Sequence, residues 1–317
     1  MTARQPCPAA PGPLEAYAAH FDAVFRRVAQ RQAFRTYLAG LLAPRERNKT
    51  LTALAGAEPV VQAQAPEVQR LQFFLSEAAW DVDALTAQRI ALLMADPLTA
   101  PHAQGVLVLD DTGDRKDGTA TAHVGRRDLG SVGKIDNGIV AVTSLWADAR
   151  VYYPLHVEPY TPAGWFEHGK QAPAFRTKPQ IARALVERAR ALGLPFRAVV
   201  ADSAYGDNGA LEDALTEAAI PHVLAPRGSV SRGWAPADVS PSFAEAIGEL
   251  RLSDWTKIRR RFRDGHTDTW WAAELTFLGY GPHRTLRAIV ATTDRTTRPD
   301  DPARALDLVP DDELVAG

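Results

Sequence analysis

Two aspartates stand where acids could do chemistry. Gly105-Val-Leu-Val-Leu is followed by Asp110, and Phe196-Arg-Ala-Val-Val-Ala is followed by Asp202. Short apolar runs of this kind read as buried strands. An acid at the carboxyl end of such a strand faces the crevice above an open α/β sheet, where ligands bind. If the two strands are neighbours, the carboxylates can share divalent cations, because Mg²⁺ takes one or two carboxylates together with waters and phosphate oxygens. A pair of such ions activates a water or a 3′-hydroxyl and stabilises the leaving oxygen of a phosphoryl transfer. The plainer alternative is that each Asp caps the turn after its strand.

The elements that must position this pair are legible in the apolar spacing. Residues 14–100 read as a helical region, with Phe21, Val24, Phe25, Val28, then Phe34, Leu38, Leu41 and Leu42 at three- and four-residue intervals. From Pro101 the pattern changes to strands. After Asp110 comes a glycine-rich stretch, then a strand over 139–145, a turn at Asp148-Ala149 and a returning strand over 151–157. Pro154 places that last strand at an edge or a bulge, since proline cannot donate to a ladder. Residues 178–193 form a helix capped by Thr177 and stopped by Gly193 and Pro195. The strand ending at Asp202, a short helix over 208–218 and a strand at 222–224 complete a core over 101–229. Strand-like segments at 257–263, 268–278 and 285–293 make 230–317 a β-rich insertion or extension. The fold class is therefore α/β, a mixed sheet with an antiparallel start.

Bulk properties narrow the function. The 317 residues carry 46% hydrophobic side chains and a net charge of −2, so a large core is available and indiscriminate coating of nucleic acid is disfavoured, although a local basic face remains open. A single cysteine, Cys7, excludes a disulfide framework and a thiolate zinc site. No apolar run reaches the ~18–20 residues of a membrane span, and the N-terminus lacks a signal-peptide layout. The expectation is a cytoplasmic protein.

Several blocks, in order, resemble the DDE superfamily transposases of bacterial insertion sequences: Asp110-Asp111-Thr112-Gly113, the run Gly130–Gly138 containing Lys134, Tyr152-Tyr153-Pro154-Leu155, and Ala201-Asp202-Ser-Ala-Tyr205-Gly206. Gln69-Arg-Leu-Gln-Phe-Phe-Leu75 with Trp80-Asp81 is similar to the helical leader of that family. The resemblance implies a ribonuclease-H-like mixed sheet, Mg²⁺ (or Mn²⁺) as cofactor, and cleavage and joining of double-stranded DNA at transposon ends and target, with a homodimer left open. It assigns Asp110 and Asp202 as catalytic, metal-holding acids. Asp111 competes with Asp110, because a one-residue shift turns a side chain to the other face. The family's third acid is a Glu on a helix with Tyr and Arg before it and Lys after it. That pattern is missing after Asp202; Glu274 lies in a strand-like stretch and Glu313 in a polar tail. The reading is therefore a transposase lacking its third acid, with two alternatives: a non-catalytic DNA-binding remnant, and an Asp-based phosphotransferase. The last is disfavoured because position 112 is Thr where a second acid belongs.

Basic residues supply candidate DNA contacts. Arg115, Lys116, Arg126, Arg127 and Lys134 lie in the glycine-rich stretch, where phosphate contact and solvated loop charge are both open. Lys134 does not complete a phosphate-binding loop, since Ile135 follows it. Arg259-Arg-Arg261 with Arg263 reads either as a backbone contact or as the wet face of a strand. Arg26, Arg27, Arg31 and Arg35 read as a basic helix surface or a solvated one.

Overall fold

The computed structural model describes residues 12–44, 50–57, 64–129, 133–206, 208–225, 243–262, 264–278 and 285–293. The chain divides into two compact units, 1–100 and 101–317. The first is helical: α1 (Pro13–Ala19), α2 (Val28–Leu42), α3 (Leu51–Leu54), α4 (Pro66–Ser76) and α5 (Val82–Ala95). Phe21, Phe25, Phe34, Leu54, Leu71 and Phe74 form its buried core, and Trp80 stacks on Phe74 at 5.8 Å. Two of the arginines read as a basic surface are tied down. Arg35 donates to Glu15 and Asp22, and Arg31 Nε donates to the Phe25 carbonyl. They brace the first turns of this unit.

The second unit begins with β1 (Val106–Arg115), β2 (Gly125–Leu129), β3 (Lys134–Ala147) and β4 (Tyr152–Pro159). There follow α6 (Lys178–Ala191), β5 (Ala198–Ala201), α7 (Ser203–Gly206), α8 (Gly209–Glu217) and β6 (His222–Leu224). Across the sheet the order is β2-β3-β1-β5-β6, with β4 also paired to β3. β1 is antiparallel to β3 and parallel to β5, which is parallel to β6. This mixed sheet with crossover helices is the ribonuclease-H-like arrangement. A separate three-stranded antiparallel sheet is built from β7 (Thr256–Arg261), β8 (Thr267–Leu278) and β9 (Thr285–Thr292), with a short helix, α9 (Phe243–Gly248), before it.

Two features differ from the expected strands. β1 does not stop at Asp110 but continues to Arg115, because beyond Leu109 it keeps its antiparallel partner β3 after its parallel partner β5 has ended. The glycine-rich stretch contains the strand β2, whose polar composition hides it from apolar periodicity. Pro154 sits where the proline argument puts it: β4 pairs with β3 alone, and its register slips at Leu145 opposite Pro154.

One face of the sheet is the core. Leu107, Leu109, Val140, Val142, Trp146, Val199 and Ala201 are buried, and Ile181, Leu185 and Ala189 of α6 are buried with them. The Thr177 cap and the reciprocal Gln180 contact start α6. Trp146 donates its indole N–H to the Pro195 carbonyl at 3.0 Å. A Cβ at Gly105 would lie 2.2 Å from that ring, so only glycine lets the backbone pass.

The β3–β4 turn is held by Asp148, which accepts from the backbone N–H groups of Arg150 and Val151 at 2.7 and 2.6 Å and contacts His102 at 3.0 Å. Burial pushes its carboxyl up, but the hydrogen bonds from Val151, His102 and Arg150 outweigh this and hold it at about 2. An aspartate depressed in the folded state stabilises it above the unfolded value of about 3.9 and loses that contribution as pH falls through the folded one. Asp148→Asn should cost about 1–2 kcal/mol near neutral pH, allowing for solvent screening. Its unfolding free energy should also decline less steeply than the wild type's from about pH 4 to about pH 2; equal acid slopes in urea titrations would refute the account.

Candidate active site

The geometry of the two aspartates follows from register. Val106–Leu109 of β1 pair in parallel with Ala198–Ala201 of β5, ending at Leu109 opposite Ala201. Asp110 follows on β1, and Asp202 is the residue immediately after β5. Aligned residues of neighbouring strands point to the same face. The pair therefore shares the half-exposed face of Val108 and Val200, opposite the buried face of Leu109 and Ala201. Asp110 is at the end of the parallel pairing, although not at the end of its strand.

Each carboxylate spends one oxygen locally. Asp110 Oδ1 accepts the Asp111 N–H at 2.7 Å, and Asp202 Oδ1 accepts the Ala204 N–H at 3.0 Å. The turn-capping reading therefore describes Asp202, at the start of α7, but not Asp110, whose strand continues. Among the described residues neither Oδ2 has a hydrogen bond, so one oxygen of each acid is left for a ligand. Burial raises the Asp110 carboxyl above its ordinary value, and the neighbouring charges of Asp202 and Asp111 push the same way, against the Asp111 N–H and Lys178.

Asp111 alternates to the opposite face, with Leu107 and Leu109, and forms an ion pair with Lys178 at 2.5 Å. Lys178 is the first residue of α6, where a helix dipole disfavours a cation. The Asp111 carboxylate offsets that cost. Asp111 is in this way committed to the helix, while Asp110 faces Asp202.

Two participants were not foreseen. One is Lys178; its position directly after the Thr177 cap was the available signal. The other is Tyr205, inside the Ala201–Gly206 block. Its ring is fully buried, its hydroxyl has no hydrogen-bond partner among the described residues, and burial followed by the charges of Asp111, Asp202 and Asp110 raises its phenol well above the ordinary range. Gly206 brings this turn against β6: a Cβ there would lie 1.9 Å from the Ala225 carbonyl oxygen.

The other expected site residues lie elsewhere. Arg115, Lys116 and Lys134 are on the ribbon of β1 and β3 beyond the β5 pairing, with Arg115 about 17 Å along β1 from Asp110. Arg115 pairs with Asp117 and Asp136, Lys116 with Asp114, and Lys134 with Asp136. Arg127 is half-buried with its guanidinium 4.9 Å from the Tyr160 ring centre. Arg126 is exposed, with no ion pair among the described residues. Glu274 is on β8, held by Arg287 through both oxygens. Glu313 and Arg263 lie outside the described residues. Among the described residues no group of three or more His, Cys, Asp or Glu is arranged to hold a metal ion, and no helix is long and apolar enough to cross a membrane.

Residues 20–270 match the DDE superfamily endonucleases. The chain belongs to this family. It is also 30% identical over 301 residues to a probable transposase for insertion sequence element IS701 from Microchaete diplosiphon, covering 93% of this chain and 72% of that protein. The DDE family match spans β1, β5 and the positions of both aspartates.

Removing the Tyr205 hydroxyl tests whether it has a partner within the fold. Leaving a buried hydroxyl unsatisfied costs about 1–3 kcal/mol. In protein without divalent metal, Tyr205→Phe is therefore expected to leave the unfolding free energy unchanged or to raise it by about 1 kcal/mol. A clear loss of stability in urea unfolding would show that the hydroxyl is bonded.

Proposed function

We propose that this DDE family member is an insertion-sequence transposase that cuts and rejoins double-stranded DNA at transposon ends, with Asp110 and Asp202 holding divalent metal. The observation that carries this reading is the register of β1 and β5, which sets two carboxylates side by side on one face, each with an oxygen free of hydrogen bonds among the described residues.

The residues present fit a hard divalent cation. Both donors are carboxylate oxygens, and Asp110, raised first by burial and then by the charges of Asp202 and Asp111, would be stabilised as an anion by positive charge between the acids. Mg²⁺ or Mn²⁺ bound there would supply an activated hydroxyl nucleophile and charge stabilisation at the leaving oxygen. The chain's own part is positioning. The sheet fixes both carboxylates, the Ala204 and Asp111 N–H groups orient them, and Lys178 holds Asp111 on the other face. The Tyr205 hydroxyl, buried beneath the acids, is a donor available to a carboxylate or to a bound water. Arg126 is the best-placed of the five ribbon cations to meet a phosphate, since the others are paired or stacked.

A specific observation favours a second reading, a DNA-binding family member that does not cut. Among the described residues no third acid joins the pair, and the acid considered for it, Glu274, is engaged by Arg287 on a different sheet.

Purified protein should nick or cleave DNA carrying its transposon ends only when Mg²⁺ or Mn²⁺ is present. Asp110→Asn and Asp202→Ala should each lower that rate about a thousandfold or more, the scale of losing several kcal/mol of transition-state stabilisation. Asp111→Asn should lower it by about tenfold or less, because its role is to anchor a helix. Metal-dependent cleavage that survives Asp202→Ala would overturn the assignment, and no cleavage by the wild type would favour the second reading.

A further inference from the structure

The small sheet of β7, β8 and β9 sorts its charges by face. On β7, Lys257, Arg259 and Arg261 are exposed while Ile258 and Arg260 are half-buried, so the three cations share one side of the strand. Their cross-strand neighbours on β8 are Trp271, Thr269 and Thr267. None of these is acidic. The acids of β8 alternate to the other face, where Asp268 lies opposite Arg260 and Glu274 is taken by Arg287. Arg260 itself lies over the Phe262 and Trp270 rings, at 4.4 and 5.6 Å. Lys257 Nζ is 5.9 Å from the Trp271 ring centre. Among the described residues Lys257, Arg259 and Arg261 have no ion pair.

Three cations on one strand face repel one another, and among the described residues no acid pairs with them; only Lys257 has a partial offset, from the Trp271 ring. Arginines and lysines on an edge strand also discourage edge-to-edge pairing, but that purpose does not require keeping the acids of the neighbouring strand to its other face. Successive cations are about 6.8 Å apart along β7, a spacing suited to neighbouring phosphates of one DNA strand. Two threonine hydroxyls beside them are further phosphate donors. In a chain whose net charge is −2, such a row is a local feature rather than an average one.

We propose that this face of β7, built from Lys257, Arg259 and Arg261 with Thr267 and Thr269, docks the phosphate backbone of double-stranded DNA. It rests on the reading of the protein as a DNA-handling enzyme and adds a surface that positions the duplex without reading its sequence.

The test is fluorescence anisotropy with the full chain and a labelled duplex of arbitrary sequence, titrated at several salt concentrations without divalent metal. Each phosphate contact contributes about 0.9 to the slope of log affinity against log salt concentration. The combined variant Lys257→Thr, Arg259→Thr, Arg261→Thr should lower that slope by about 2–3, and Arg259→Gln alone by about 0.9. Arg259→Lys with Arg261→Lys should keep it. Threonine suits an exposed strand, and the single variant covers the case in which the triple one does not fold. An unchanged slope in folded Arg259→Gln protein would overturn the proposal. Metal-dependent cleavage of transposon-end DNA, measured in parallel, separates the two readings. Loss of slope in a protein that never cuts leaves the surface standing and removes the catalytic assignment. Cutting with an unchanged slope removes the surface alone.

Discussion

The parallel pairing of β1 with β5 is the constraint on which the rest of the second unit depends. Four residue pairs, Val106–Leu109 with Ala198–Ala201, fix the strands in one register. A shift of one residue would send Asp202 to the face of Asp111 and separate the acids. What favours the register is the buried face: Leu107, Leu109, Val199 and Ala201 are all buried on one side of the sheet, and a slip of one residue would turn one strand's pair to the other side. The face carrying the two aspartates is thus specified by the hydrophobic demands of the opposite one. Parallel strands also need a crossover, and α6 provides it while delivering Lys178 to Asp111. The helix that closes the core thereby holds the competing acid away from the pair.

Much of this was legible because burial leaves a period in the sequence. The runs before Asp110 and Asp202, the Thr177-capped helix and the edge proline at 154 each carry a local signal with one dominant physical cause. The failures have causes too. β2 is Gly-Arg-Arg-Asp-Leu and has little apolar alternation; β3 recruits it, so only the pairing reveals it. The continuation of β1 past Asp110 was hidden for the same reason, since Asp-Asp-Thr-Gly-Asp reads as a turn until β3 is seen beside it. Tyr205 and Lys178 become interesting through neighbours that are distant along the chain. The burial of a hydroxyl under three carboxylates, or a lysine in the wrong turn of a helix, has no signature in one dimension.

The same distinction governs the basic residues. Charge in a sequence says nothing of whether it is already spent. Arg35, Arg115, Lys116 and Lys134 look as available as Arg259 when read along the chain, yet each has an acid within salt-bridge distance. A paired cation must give up its partner to meet a phosphate, and that exchange returns little, since exposed pairs are worth only ~0–1 kcal/mol and a phosphate contact replaces like with like. An unpaired cation has no such cost and also loses repulsion from its neighbours. Lys257, Arg259 and Arg261 are in that position because strand alternation separates them from Asp268 and Glu274 across the thickness of the sheet.

The fate of Glu274 belongs to the same argument. A carboxylate proposed to hold metal must keep an oxygen free, as Asp110 and Asp202 do among the described residues. Glu274 gives both oxygens to Arg287 in a two-pronged contact across β8 and β9. That pairing holds its carboxyl below the ordinary glutamate range, with the Arg287 hydrogen bond as the largest cause. A carboxylate so held is stabilised as an anion but is not available as a ligand. It serves the sheet by joining β9 to β8 on the face that carries no free cation row. The pair of aspartates beside the larger sheet and the row of cations on the smaller one share a physical property: both are like charges held together by secondary structure and, among the described residues, without an ion pair of their own.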